Sequence, residues 1–90
     1  MLRIDIPGGP DNVSQELLNQ YGIPQPFNGS DIEINGDMVL LFDDEQQAVS
    51  YLDGLEEFAS SVEGNSPAKN VISLIVSAIV NDEFVQEYLQ

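Results

Sequence analysis

"DIEINGDMVLLFDDE", residues 31–45, contains the signal on which the fold prediction rests. Asn35-Gly36 stands between two β-like runs, and this dipeptide favours the tight turn of a two-residue hairpin loop. Before it, Ile32 and Ile34 alternate with acidic residues. After it, "MVLLF" (38–42) is apolar on both faces, which is typical of a central strand covered on both sides or of a strand that uses a partner. The stretch therefore predicts an antiparallel β-hairpin.

Upstream of the hairpin, local signals predict a strand and a short helix. Alternation in "LRIDI" (2–6) indicates the strand. Residues 12–21 suit a helix that ends before Gly22, and an extended connection with a turn at Asn28-Gly29 follows. The expected cap of the helix is Asp11 or Asn12, and its apolar stripe is Val13, Leu17 and Tyr21.

Downstream of the hairpin, two longer helices and a terminal one are predicted. Asp43 or Asp44 caps the first, with Gln46 or Gln47 at the third helical position. Its apolar positions are Ala48, Tyr51, Leu52, Leu55, Phe58, Ala59 and Val62. Ser66-Pro67 begins the second, which has a polar stripe of Asn70, Ser73 and Ser77 and a β-branched content that leaves a strand open for 71–76. The terminal helix follows Asn81-Asp82-Glu83, with Phe84, Val85, Tyr88 and Leu89 expected to pack inward.

Ninety residues without an internal repeat or linker predict one domain over residues 1–90. The fold class is α+β: a small antiparallel sheet, made of the N-terminal strand and the Asn-Gly hairpin, packs with three to four helices. The element order is β-α-β-β-α-α, with a further helix if the terminal segment is separate.

Composition excludes several kinds of site. The chain has no cysteine and no histidine, so it lacks thiolate nucleophiles, zinc-thiolate sites and the usual general base. No cofactor or metal is expected. The N-terminus lacks the pattern of a signal peptide, and the apolar run 71–80 is about half the length that a bilayer requires. A soluble, cytoplasmic protein is the expectation.

"DIEINGD" (31–37) resembles one loop of the EF-hand family. Asp31, Glu33, Asn35, Gly36 and Asp37 occupy the first, third, fifth, sixth and seventh positions of that calcium loop. The family closes its ligand shell with a bidentate glutamate at the twelfth position, where this chain has Phe42. The hairpin explains the same residues, because the isoleucines alternate as they do in a strand.

An enzymatic function is not expected. Acid pairs such as Asp31 and Glu33 would need a desolvating pocket to act as acid and base, and these two lie on a predicted exposed face. Lys69 is the single candidate base for a serine nucleophile. "IPGGPDN" (6–12) lacks a phosphate-binding lysine and suits a turn before a helix cap.

Charge is the exceptional property of the sequence. Sixteen acids stand against Arg3 and Lys69, for a net charge of -14, and positions 4–68 hold thirteen acids and no base. Carboxylates roughly 5 to 7 Å apart on a strand or a helix face can imitate the phosphates of a nucleic-acid backbone. The predicted binding face is Asp31, Glu33 and Asp37 of the hairpin, Asp43, Asp44 and Glu45 of the junction, and Asp53, Glu56 and Glu57 of the helix.

The sign of the charge excludes nucleic acid and anionic membranes as direct partners and favours a basic, nucleic-acid-binding protein. In size and charge the chain is similar to phage-encoded inhibitors such as anti-CRISPR and anti-restriction proteins, which implies a DNA-mimic inhibitor. Acidic immunity proteins that neutralise basic toxin nucleases are an alternative. Another is a structural or assembly module whose charge serves solubility, with a homodimer formed through "MVLLF" or "VISLIVSAIV" (71–80).

Overall fold

Strand β3 (Met38–Phe42) is the centre of the structure, as the apolar pattern of the sequence predicts. The computed structural model describes residues 2–6, 15–26, 28–32, 38–62, 64 and 66–90, with the backbone alone at 15, 31 and 32. The other elements of this part are β1 (Leu2–Ile6), α1 (Gln15–Tyr21), β2 (Ser30–Ile32), α2 (Glu45–Ser60), α3 (Pro67–Val80) and α4 (Glu83–Leu89). The predicted α+β class and element order are confirmed, and the terminal helix is separate.

The sheet has the order β1-β3-β2, with both pairs antiparallel. Ile4 of β1 lies opposite Leu40, and Ile32 of β2 lies opposite Met38. Antiparallel pairing of β2 with β3, its neighbour along the chain, confirms the hairpin. The Asn35-Gly36 turn lies outside the described residues.

One face of the sheet packs against the helices. In β1 the alternation is followed strictly, since Leu2, Ile4 and Ile6 are buried and the residues between them are exposed. On β3, Met38, Leu40 and Phe42 join the same core as the inner faces of α2 and α3. Val39, which points to the other side of the pleat, is also buried at 1% exposure. The prediction that β3 is a central strand covered on both sides is therefore confirmed around Val39.

Residues 71–76 are helical, which settles the alternative of helix or strand. Ser66 caps α3 by accepting a hydrogen bond from the Ala68 N–H at 3.2 Å, and Pro67 occupies the first turn, where its missing N–H costs nothing. The predicted polar stripe of this helix is exposed. Its opposite face is buried through Ala68, Val71, Ile72, Ile75 and Ile79. A single chain thus covers most of the aliphatic surface on which the expected homodimer rests.

Helix α1 is rotated relative to its predicted stripe. Leu18 is fully buried, whereas Leu17 and Tyr21 are half-buried. Gly22 has φ +69°, and the N–H groups of Gly22 and Ile23 donate to the carbonyls of Asn19 and Leu18. These two bonds form a Schellman motif, in which the residue after the glycine packs on the last turn of the helix. Leu18 and Ile23 both lie in the core, and Leu17 and Tyr21 pack against it while partly exposed. The predicted caps, Asp11 and Asn12, lie outside the described residues.

The inward packing predicted for α4 is wrong at three of four positions. Val85 is fully buried, but Phe84, Tyr88 and Leu89 are 55%, 50% and 54% exposed. Helix α4 is seven residues long and contacts α2 and α3, and Val85 is its one residue in the core. None of the described helices combines the length and the apolar character needed to cross a bilayer.

Candidate acidic interface

The junction between β3 and α2 holds three carboxylates with different local roles. Asp44 is the N-cap of α2, and its Oδ1 accepts the N–H of Gln47 at 2.9 Å. Gln47 reaches back so that its Oε1 accepts the N–H of Asp43 at 2.8 Å. This is a capping box displaced by one residue, because the glutamine serves the residue before the cap. Asp44 is therefore the predicted cap, with Gln47 at the third helical position.

Hydrogen bonds from Asn28 connect the turn before β2 to this junction. Its Nδ2 donates to Asp43 Oδ1 and to Gln47 Oε1, each at 2.9 Å. Gln47 Nε2 donates to the second oxygen of Asp43 at 3.3 Å. Both oxygens of the Asp43 carboxylate thus accept bonds from side-chain amides. The charge of Asp43 is exposed, but the residue also has a structural role.

The exposed face of α2 carries the second group of predicted acids. Asp53, Glu56 and Glu57 are exposed, while Ala48, Tyr51, Leu52 and Leu55 are buried on the opposite face. Residues eleven apart are almost exactly three turns apart, so Glu45 and Glu56 lie nearly on one line along the helix, about 16 Å from one another. The sequence of α2 contains no lysine or arginine. Lys69 of α3 lines the same groove as Glu56.

Six of the nine predicted binding residues therefore belong to one element and its N-terminal junction: Asp43, Asp44, Glu45, Asp53, Glu56 and Glu57. All are exposed except the half-buried Glu45. Of the other three, the backbone of Asp31 pairs with Val39 in the sheet. Glu33 and Asp37 lie outside the described residues. The structure thus places an acidic row along α2, in two groups separated by the uncharged residues 46–52.

A hydrophobic neighbour of this row was missed by the sequence analysis. Phe84 of α4 lines an open depression of about 230 Å³ together with Leu2 and the three junction acids. Glu83 and Glu87, on the outer side of α4, are exposed and add to the same negative surface. Nothing in the sequence of α4 distinguishes Val85, which is buried, from Phe84, because both are apolar residues in a short amphipathic segment.

Larger depressions lie elsewhere. One of about 480 Å³ lies between β1 and the end of α3, and another of about 370 Å³ lies between α2 and α3. Among the described residues, no group of three potential ligands could hold a metal ion. The loop that resembles an EF-hand is followed by a β-strand in which Phe42, the residue at the closing position, is fully buried in the core. The side chain of Phe42 has no carboxylate, so the bidentate ligand that this family requires at its closing position is missing.

Tyr51 has a structural role in the core. It is buried beside Phe42, with ring centroids 5.6 Å apart, and its hydroxyl donates to the carbonyl of Pro24 at 2.7 Å. Burial raises the pKa of the Tyr51 hydroxyl well above its ordinary value near 10. The bond joins α2 to the segment after α1.

No family model, no curated protein and no solved structure matches this chain. The geometry of the acidic row is therefore the basis for a functional proposal.

Proposed function

We propose that this chain is a non-enzymatic acidic binding protein that blocks a basic nucleic-acid-binding surface of another protein. The observation that supports the proposal is the acidic row of α2, defined as Asp43, Asp44, Glu45, Asp53, Glu56 and Glu57. Such a protein would act by occupying a groove that otherwise holds DNA or RNA.

The acidic row consists of two groups of three carboxylates. Asp43, Asp44 and Glu45 form the first group, and Asp53, Glu56 and Glu57 lie about 12 to 18 Å further along the helix axis. The residues between them, 46–52, carry no charge. Two such groups on one helix can occupy separate phosphate-binding positions of a nucleic-acid groove.

The electrostatic repulsion within the acidic row also supports a binding function for it. Asp53 lies three and four residues before Glu56 and Glu57, and like charges at these spacings destabilise a helix by a few tenths of a kcal/mol per pair. Interspersed lysines would remove the cost and keep the protein soluble. A net charge of -14 also accelerates encounter with a basic surface by electrostatic steering.

The test is a comparison of three baits in a cell lysate: the parent chain, a neutral variant and a charge-preserving variant. The neutral variant carries Asp53→Asn, Glu56→Gln and Glu57→Gln. The charge-preserving control carries Asp53→Glu, Glu56→Asp and Glu57→Asp. These positions are chosen because their side chains are exposed and, unlike Asp43 and Asp44, take no part in the cap network.

We expect the parent and the charge-preserving variant to retain nucleic-acid-binding proteins that added duplex DNA displaces. The neutral variant should retain them far more weakly, most clearly at low salt. Retention of a toxin nuclease would identify an immunity function within the same mechanism. If all three baits retain the same proteins, or if DNA displaces none of them, the acidic row serves solubility and the proposal is wrong.

A further inference from the structure

The exposed side of α4 carries a pair of aromatic side chains close to the junction acids. Phe84 and Tyr88 are spaced four residues apart and therefore lie on the same side of the helix. Both are at least half exposed, although large aromatic side chains usually bury most of their area. Leu89 is equally exposed, but the helical repeat places it on the other flank of the buried Val85.

Acids frame this aromatic pair on two sides. Across the depression that Phe84 and Leu2 line are the three junction acids, Asp43, Asp44 and Glu45. On the outer side of α4, Glu83 and Glu87 are exposed within one turn of the two rings. The depression has a volume of about 230 Å³, below the range of about 300–1,000 Å³ that is usual for small-molecule sites. Its size suits a single anchoring side chain.

We infer that Phe84, the depression that it lines and the neighbouring Tyr88 form an apolar anchor site for a basic protein segment in which an aliphatic side chain lies next to arginines. The inference rests on the proposed function, which requires a positively charged partner. It adds that this partner also presents an aliphatic side chain. The aliphatic side chain enters the depression over Leu2. The neighbouring guanidinium groups stack on the rings and bind the carboxylates of the junction acids and of Glu83 and Glu87.

Charge decides between this occupant and a second copy of the chain. A dimer formed through α4 would bring five acids of each copy close to those of the other, in a molecule whose net charge is -14. They are Asp43, Asp44, Glu45, Glu83 and Glu87. Like charges brought face to face oppose association, whereas a basic segment gains from the same charges. Apolar anchors at the centre of an interface commonly carry most of the binding energy, with charged groups around them.

The experiment uses two synthetic arginine peptides of equal length and charge. One carries leucines between the arginines, and the other carries serines at the same positions. Their affinities are measured by fluorescence anisotropy for the parent chain, for the double variant Phe84→Gln/Tyr88→Gln and for the control variant Leu89→Gln. Glutamine keeps a high helix propensity, and all three side chains are exposed, so α4 should remain folded.

We expect the parent to bind the leucine peptide about tenfold more tightly than the serine peptide, since one buried leucine is sufficient for that ratio. The double variant should bind both peptides with one affinity, which is no higher than that of the parent for the serine peptide, because it also loses the rings on which the guanidinium groups stack. Leu89→Gln should behave as the parent does. In the parent itself, amide resonances of residues 43–45 and 84–88 should shift more with the leucine peptide, a measurement that needs no variant.

The outcomes separate this inference from the proposed function. If the parent binds neither peptide, both fail. If it binds both equally, or if the preference for leucine survives in the double variant, the anchor site is wrong and the acidic binding function stands. If sedimentation shows that the parent is a dimer and the double variant a monomer, a second copy occupies this face and the inference is overturned.

Discussion

Tyr51 shows at the scale of one residue how a polar atom is accommodated in a small core. The side chain is 2% exposed, and its hydroxyl reaches out of the core to the carbonyl of Pro24. The ring adds area to the core beside Phe42, while the hydrogen bond joins α2 to the segment that follows α1. A buried hydroxyl without such a partner would destabilise the fold, because it would lose its hydrogen bonds to water and gain none in return.

We predict that Tyr51→Phe costs about 1 kcal/mol at neutral pH, because one hydrogen bond to a backbone carbonyl is lost. The cost should disappear at alkaline pH. The folded protein keeps the Tyr51 proton to a higher pH than the unfolded chain, whose tyrosine ionises near 10. Above that pH the unfolded state binds fewer protons, so the free energy of unfolding of the parent falls by up to about 1.4 kcal/mol per pH unit.

Urea titrations of the parent and the variant from neutral pH to above pH 10 measure this difference. Other ionisable groups titrate in both proteins and cancel in the comparison. A parent and a variant that lose stability in parallel would show that Tyr51 ionises as freely in the folded protein as in the unfolded chain.

At the scale of the element, the start of α2 combines a cap with an acidic surface. Asp44 accepts the Gln47 N–H, and Asp43 accepts two side-chain amides. Both carboxylates therefore contribute hydrogen bonds as well as charge. Asp44→Asn keeps a capping oxygen, whereas Asp43→Asn places an amide NH₂ against the NH₂ of Asn28 or Gln47.

We predict that Asp44→Ala destabilises the protein by about 1 kcal/mol and that Asp44→Asn leaves it nearly unchanged. Asp43→Asn should cost more than Asp44→Asn, although it removes the same charge, because one hydrogen bond is lost. Shifts in the urea midpoint at constant slope measure all three. Equal losses for Asp44→Ala and Asp44→Asn would mean that charge at the helix terminus, and not the cap bond, is what stabilises α2.

At the scale of the whole molecule, net charge opposes the fold. We predict that salt raises the melting temperature of the parent, since screening weakens repulsion among sixteen acids. The variant with Asp53→Asn, Glu56→Gln and Glu57→Gln should be more stable at low salt by up to about 1 kcal/mol, the sum of a few like-charge contacts. Its melting temperature should rise less with salt.

Thermal unfolding over a series of sodium chloride concentrations checks this prediction. The charge-preserving variant used above is the control, and it should respond to salt as the parent does. A neutral variant that is less stable than the parent at every salt concentration would mean that the three acids stabilise α2 and carry no cost.

Much of the fold was predictable because its signals are local. The Asp44 cap and Ser66-Pro67 act within a few residues, and each limits a helix without reference to the rest of the chain. For 71–76 the β-branched residues favour a strand by propensity, yet the cap and the polar stripe of α3 belong to a helix. Packing of that helix on β1 outweighs the small differences in propensity.

The candidate site was predictable in its charge and not in its shape. Which acids share an element follows from helical spacing, so the acidic row along α2 could be anticipated. The position of Phe84 beside that row depends on how α4 lies on α2, which is a contact between residues about forty positions apart.

The sequence by itself determined the order of the elements, the caps, the hairpin and the density of negative charge, because these depend on neighbours along the chain. Tertiary structure alone decided the rotation of α1 onto Leu18 and the choice of Val85 over Phe84 as the residue that enters the core. Several apolar residues compete for each such place, and the volume left by distant elements selects the one that fits.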